Sequence, residues 1–227
     1  MTNPAVRKAR PPVSSYHHGN LSAALVDEGL AQVHDRGAEK VTLRGLAGSV
    51  GVSPSAAYQH FGDKDALLAA VGSAGYARLR SAMEEAVSAV RGEDDEAAVQ
   101  RLLASGTSYV AFAVAEPHLF RLMFGPLCAP PEHVRAGEGP RDCADPAEPT
   151  NQGRAAFRVL ERCLEDLERR QLLRVPADQA LRLLLWATVH GFAVLAVETQ
   201  LNADVGDRVL EVLRELLVGP GESSPTT

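Results

Sequence analysis

Apolar side chains along this chain recur every three to four residues and almost nowhere every second residue, the period of helices rather than strands, so the pattern predicts an all-α protein. Asn20 is a candidate N-cap for a first helix whose apolar or small positions are Val26, Gly29, Leu30 and Val33, and Gly37 supplies its stop. Thr42 opens a second helix. Val41 and Leu46 stand at the positions of a hydrophobic staple around it, and the helix ends near Val50. Gly51 suits a left-handed turn, Ser53 is the next N-cap, and Pro54 occupies the first helical position, where its missing N–H costs nothing. The third helix so defined has only two turns before Phe61-Gly62. Asp63 then caps a fourth, longer helix running towards Val90 through Leu67, Leu68, Val71, Leu79 and Val87, with Gly72 and Gly75 as points where it could kink.

Isolated helices under about 12 residues are marginal in water. The two-turn helix must therefore lean on its neighbours, with Val52, Ala57 and Phe61 placed to pack on Leu43, Leu46 and Ala47. Two capped helices joined through Gly-Val-Ser make a helix-turn-helix pattern. Downstream, one helix spans 97–115 and is broken by Glu116-Pro117, and a shorter one covers 118–124. Six prolines between 125 and 149 predict a mobile loop. Apolar helices follow at about 151–171, 176–200 and 205–217.

Composition narrows the function classes. The 227 residues are 45% hydrophobic, enough for a real core, and the net charge of -6 argues against a uniformly basic coat for nucleic acid. The acid excess is uneven. Residues 1–71 carry seven Lys/Arg against six Asp/Glu, so the remainder holds 16 against 23. Arg7, Lys8 and Arg10 form a basic arm, or alternatively a solubilising tail. Cys128, Cys143 and Cys163 match neither a zinc pattern nor a disulfide framework, which points to a reducing cytoplasm. His17 and His18 have no thiol or carboxylate nearby, so they read as phosphate or backbone contacts and no metal or cofactor is expected. There is no apolar leader, and the apolar run 183–197, interrupted by His190, is shorter than a membrane span and reads as a buried helix. No phosphate loop, HExxH or G-x-S-x-G signature appears, so no catalytic residue is predicted.

The segment VTLRGLAGSVGVSPSAAYQHFGDKDALL, residues 41–68, resembles the DNA-binding signature of the tetracycline-repressor (TetR) family of bacterial transcription regulators. Thr42, Leu43, Ala47, Gly51-Val-Ser53, Tyr58, His60-Phe61, Lys64 and Leu67-Leu68 carry the likeness, which extends upstream over YHHGNL (16–21). Gly45 departs from it, standing where the family often has an acidic residue, so the second helix is expected to be less well capped. The pieces HLFRLMFGP (118–126) and LLWATVHGFAVLAVE (184–198) look like a subgroup with a Trp…His-Gly element, here Trp186, His190 and Gly191.

The resemblance implies a flexible arm (1–19), a helix-turn-helix domain (20–66), a helical ligand-binding and dimerisation domain (67–218) containing the mobile loop 125–149, and a frayed tail (219–227). It further implies a cytoplasmic, ligand-responsive repressor that binds a palindromic operator in double-stranded DNA as a homodimer and is released by a small-molecule effector. By position, Ser53, Ser55, Ala56, Tyr58 and His60 would face bases or sugar-phosphate, and Thr42, Arg44 and Lys64 would contact phosphates. In the family the last long helices pair as a four-helix bundle, which here makes Phe157, Leu160, Leu164, Leu167 and Phe192 the dimer candidates; the stripe on the first of these helices could equally be core of its own chain. Phe112, Leu119, Met123, Phe124, Trp186 and His190 are the pocket candidates, being aromatic or polarizable with one polar handle. A helical ligand carrier without DNA binding is the alternative.

Overall fold

The computed structural model describes residues 21–125, 127, 152–199 and 203–219. The basic arm, His17 and His18, the Asn20 cap, Cys128, Cys143 and nearly all of the proline-rich loop lie outside them. Among the described residues there are nine α-helices: α1 (Leu21–Arg36), α2 (Leu43–Val50), α3 (Pro54–His60), α4 (Lys64–Ala89), α5 (Asp95–Ala115), α6 (Pro117–Met123), α7 (Gln152–Arg169), α8 (Gln179–Thr199) and α9 (Ala203–Leu217).

Local chemistry sets the first four helices. The hydroxyl of Thr42 accepts the Gly45 N–H at 3.1 Å, that of Ser53 accepts the Ala56 N–H at 3.2 Å, and the carboxylate of Asp63 accepts the Ala66 N–H at 2.8 Å. The α2 cap therefore forms despite Gly45. What the glycine removes is the reciprocal side chain that could reach back to the Thr42 N–H. Gly51 takes φ 82° and ψ 27°, a left-handed turn that a side chain would strain. Val41 and Leu46 are both completely buried, as a staple requires.

α4 is the spine of the molecule, packing on α1, α5, α6 and α7, and it runs unbroken from Lys64 to Ala89. Its Gly75 permits close approach of α6: a Cβ there would lie 2.8 Å from the Met123 sulfur and 3.0 Å from Leu119. One apolar core is continuous from Leu25 and Leu46 in the head to Tyr109, Leu119 and Val159. The 66/67 boundary thus falls inside α4 and across a shared core. A second core, containing Leu102, Leu164, Leu167, Leu181 and Leu217, closes the far end. There Arg174 donates its N–H to Leu217 O at 2.9 Å and Gly219 donates to Leu172 O at 3.0 Å, so Gly219 is pinned rather than part of a frayed tail.

One expectation for the C-terminal helices needs correction. Leu164 and Leu167 have no exposed surface within one chain, because α7 turns its apolar stripe inward onto α4 and α5; they are core and cannot meet a second copy. α8 buries one side within its own chain and leaves the other open. It is long and apolar enough to cross a membrane by length and composition, yet only Leu181, Leu185, Ala193 and Ala196 are buried, while Leu184 and Leu195 are 58% and 52% exposed.

Candidate nucleic-acid interface and ligand cleft

The two-turn helix α3 is held from one side. Ala57 is fully buried and Phe61 nearly so, and the turn before the helix is closed by the Val52 N–H on Ala47 O at 2.9 Å. With 100° between successive residues, Ser55 and Gln59 project opposite Ala57, and Tyr58 and His60 flank them. All four are exposed, and Tyr58, a large aromatic ring, leaves 52% of its surface in water. A ring so exposed is not there to pack the core. Ser53 is exposed at the helix entrance, and the small Ala56 is partly covered.

Charges border this face. Thr42 and Arg44 are exposed at the start of α2, and Arg44 enters no ion pair among the described residues. Lys64 stands at the start of α4 with its ammonium donating to Glu39 O at 2.8 Å, which fixes one of its three protons and leaves two directed elsewhere. The structure leaves the sequence-predicted Thr42, Arg44, Ser53, Ser55, Tyr58 and His60 exposed and Ala56 and Lys64 partly covered, within or beside the helix-turn-helix. It adds Gln59, whose signal in the sequence is its position four residues after Ser55 and two after the core residue Ala57. Gln is a bidentate partner for adenine, and the major groove admits a helix.

The second candidate site is a cleft enclosed by α4, α5, α7 and α8. Tyr76 and Met83, Tyr109, Phe124, Phe157 and Leu160, and Trp186 line it around a cavity of about 40 Å³. That is room for a few waters, whereas pockets for drug-sized ligands run to about 300–1,000 Å³, so entry of a ligand must move side chains. Of the expected pocket residues, Phe124 and Trp186 line the cleft and His190 stands against them. Phe112, Leu119 and Met123 do not. They are buried in the core, Leu119 and Met123 wedged on Gly75, because α6 turns that face towards α4. Phe157 and Leu160, two of the dimer candidates, line the cleft, and Phe192 packs at Gly206 of α9. Tyr109 was hidden in the sequence: its partner is 81 residues away.

That partnership is the polar centre of the cleft. Tyr109 Oη lies 2.9 Å from His190 Nδ1, and the imidazole is stacked on Trp186 with ring centroids 5.0 Å apart and planes 12° from parallel. Burial holds the Tyr109 hydroxyl well above its ordinary pKa and pushes that of His190 down, so both are neutral near pH 7. Which of the two groups donates in this bond is set by the imidazole tautomer. The Trp186 indole nitrogen is shielded from water. It comes close enough to the Tyr109 hydroxyl to oppose the rise in the phenol's pKa.

Two family models match the chain. That for bacterial regulatory proteins of the tetR family covers residues 25–71, and that for the tetracyclin repressor-like C-terminal domain covers residues 102–218, more than half the chain. No curated protein matches. A protein of unknown function from Rhodococcus sp. RHA1 superposes with a TM-score of 0.68 at 28% identity, over 89% of this chain and 96% of that one. A TetR-family transcriptional regulator from Pectobacterium atrosepticum gives 0.64 at 24% identity, over 88% and 95%. SmeT, the repressor of the Stenotrophomonas maltophilia multidrug efflux pump SmeDEF, gives 0.59 at 23% identity, over 91% and 94%. The exposed face of α3, the capped turn beneath it and both domain matches lead to one conclusion: this chain belongs to the TetR family and is a helix-turn-helix, DNA-binding transcription regulator.

Proposed function

We propose that two copies of this chain bind a palindromic operator in the cytoplasm, repress the adjoining gene, and release it when a small molecule enters the cleft of α4, α5, α7 and α8. The observation that carries this reading is the exposed α3 face of Ser55, Tyr58 and Gln59 on a helix whose other side is locked into the core. Arg44, Lys64 and the N-terminus of α2 at Thr42 supply phosphate contacts, and Ser53, Ala56 and His60 adjoin the sugar-phosphate edge.

Dimerisation follows from two open stripes. On α8, Leu184, Thr188, Gly191 and Leu195 succeed one another at spacings of four, three and four; on α9, Val205, Val209, Val212 and Leu216 do the same, with Leu216 66% exposed. Such stripes are what a helix offers a neighbour crossing at a shallow angle. A second copy supplies that neighbour and pairs the reading heads, which need to sit about 34–36 Å apart on one side of the duplex. The stack of Trp186 on His190, followed by Gly191, supports reading these three as the Trp…His-Gly element of a ligand-binding subgroup.

Communication between the sites needs only α4. Its first residues border the DNA-facing helix and its middle, at Tyr76 and Met83, forms a wall of the cleft. A ligand that fits the cleft better in the DNA-incompetent arrangement shifts the balance by its preference alone, about 1.4 kcal/mol per tenfold. Footprinting on DNA flanking the chain's own gene, with sedimentation of the free protein, tests the reading. A two-fold symmetric footprint and a dimer support it, whereas a monomer with no protected DNA overturns it.

A further inference from the structure

The cleft between α4, α5, α7 and α8 selects by what its walls withhold. Resting on the ligand-release reading above, we infer that it takes a small, uncharged aromatic compound of hydrocarbon character, held by shape and apolar contact with no polar anchor.

Charge is absent from the walls. No Lys, Arg, Asp or Glu is among the residues lining the cavity. An ion moved there from water would lose its hydration without gaining a counter-charge. His190, stacked on the Trp186 indole, does not supply one, since burial keeps the imidazole neutral near pH 7.

The neutral polar groups of the walls already have partners in the chain. Tyr76 donates to Met123 O at 2.7 Å, and Ser105 donates to Leu102 O at 2.7 Å. The Tyr109 hydroxyl shares a hydrogen bond with His190 Nδ1 at 2.9 Å, and the Trp186 indole nitrogen, shielded from water, stands close to the same hydroxyl. A carbonyl, hydroxyl or amide brought in by a ligand therefore either breaks one of these bonds or gives up its own hydration without recompense. Polar substituents lower affinity here, and apolar surface raises it.

Shape narrows the class further. Tyr76, Tyr109, Phe124, Phe157 and Trp186 contribute aromatic walls, and ring against ring gains more than area burial alone. The cavity of about 40 Å³ is smaller than the roughly 150 Å³ in which a dry apolar site takes benzene, so a single ring needs a modest displacement and a larger ligand would have to open the core. Met83, an adaptable side chain, and the partly covered Phe157 are the groups able to give way. The way in lies between α7 and α8, which pack less closely on each other than either does on α5.

Methionine methyl groups report the site. Of the chain's three methionines, Met83 lines the cavity and Met123 is wedged on Gly75 outside it, so full-length protein carrying ¹³C-methyl methionine holds both a sensor and an internal reference. Four probes, each a phenyl ring with a short substituent, separate the alternatives: ethylbenzene (apolar), acetophenone (neutral, with an acceptor), 1-phenylethylammonium (cationic) and phenylacetate (anionic). Ethylbenzene should move the Met83 signal more than that of Met123 and bind about tenfold more tightly than acetophenone, the factor expected of one buried carbonyl left without a partner, while both ions leave Met83 unmoved. Ala156→Leu, which puts a larger side chain into the cavity wall, should remove the ethylbenzene shift. The comparison of probes on the unaltered protein stands even if that variant misfolds. Acetophenone binding as tightly as ethylbenzene, a Met83 shift with either ion, or no Met83 shift in water saturated with ethylbenzene overturns the assignment. Operator binding read in the same samples separates the two readings. Ethylbenzene bound with DNA retained removes the release function and leaves the ligand class standing, while DNA released by phenylacetate and not by ethylbenzene does the reverse.

Discussion

The DNA-reading head and the α8–α9 end of the molecule treat apolar residues in opposite ways. In the head, Leu25, Val41, Leu46, Ala47 and Ala57 show no exposed surface, and α3 turns Ser55, Tyr58, Gln59 and His60 to water. At the other end Leu184, Leu195, Val205, Val212 and Leu216 remain open on two adjacent helices. The head is finished within one chain and can afford a projecting probe because its core is closed. The C-terminal pair leaves apolar surface open, and this is where the proposed second copy would dock.

The sharpest way to break that contrast is to charge the open stripe. Leu184→Glu with Leu195→Glu should turn the dimer into monomers, each site costing about 2–4 kcal/mol of association as central interface leucines do, with little effect on the fold of the single chain. Sedimentation velocity reads the outcome directly. A dimer that survives both substitutions would show that α8 pairs with nothing.

Next comes Leu164→Ala, which asks the opposite question of α7. Because Leu164 is wholly inside its own chain, the substitution should lower unfolding stability by about 2–5 kcal/mol and leave the association state alone. Denaturant unfolding and sedimentation together decide the point. Loss of dimer at unchanged stability would return α7 to the interface.

These two leucine sets show where sequence stops being informative. The head was legible because its determinants are local: Thr42, Ser53 and Asp63 each cap the helix three residues ahead, and Gly51 turns between two of them. In the C-terminal part the decision is tertiary. Leu164 and Leu184 are the same residue, each on a helical stripe, and it is the packing of α7 on α4 and α5 that makes the first core while the second stays open. The cleft has the same character. Phe112 and Tyr109 lie three residues apart on one helix and both are buried, yet of the two only Tyr109 lines the cleft, where it meets the distant His190.

At the head, smaller and more selective effects are expected. Gln59→Ala and Tyr58→Ala should each alter operator affinity by about 1–3 kcal/mol, with base preference changing most for Gln59. Neither should change the melting temperature appreciably, since exposed positions contribute within about 0.5 kcal/mol to stability. Binding titrations on operators varied one base pair at a time make the measurement. A large stability loss in Tyr58→Ala would mean that the ring is structural after all. Lys64→Ala should weaken binding to all sequences alike and flatten the salt dependence by about one unit per subunit. An unchanged slope would leave the Lys64 ammonium committed to Glu39 O alone.

The smallest expected effect lies where the two regions meet. His34 Nδ1 on α1 is 2.7 Å from Glu116 Oε2 at the junction of α5 and α6, and the hydrogen bond and charge of Glu116 raise the His34 pKa above its usual 6.5, with Asp35 assisting and Arg78 opposing. A raised folded-state pKa contributes stability that is fully present below 6.5 and is lost as pH climbs through the higher folded value. His34 is 53% exposed, so water and salt screen the pair and the gain is small. Thermal melts of the native chain and of Glu116→Gln between pH 5.5 and 9 should therefore converge as pH rises. A constant gap would mean that Glu116 acts through packing and not through charge. Operator affinity should stay level across the same interval as far as this pair is concerned, because the continuous core from Leu46 to Tyr109, and not the ion pair, holds the head to the body.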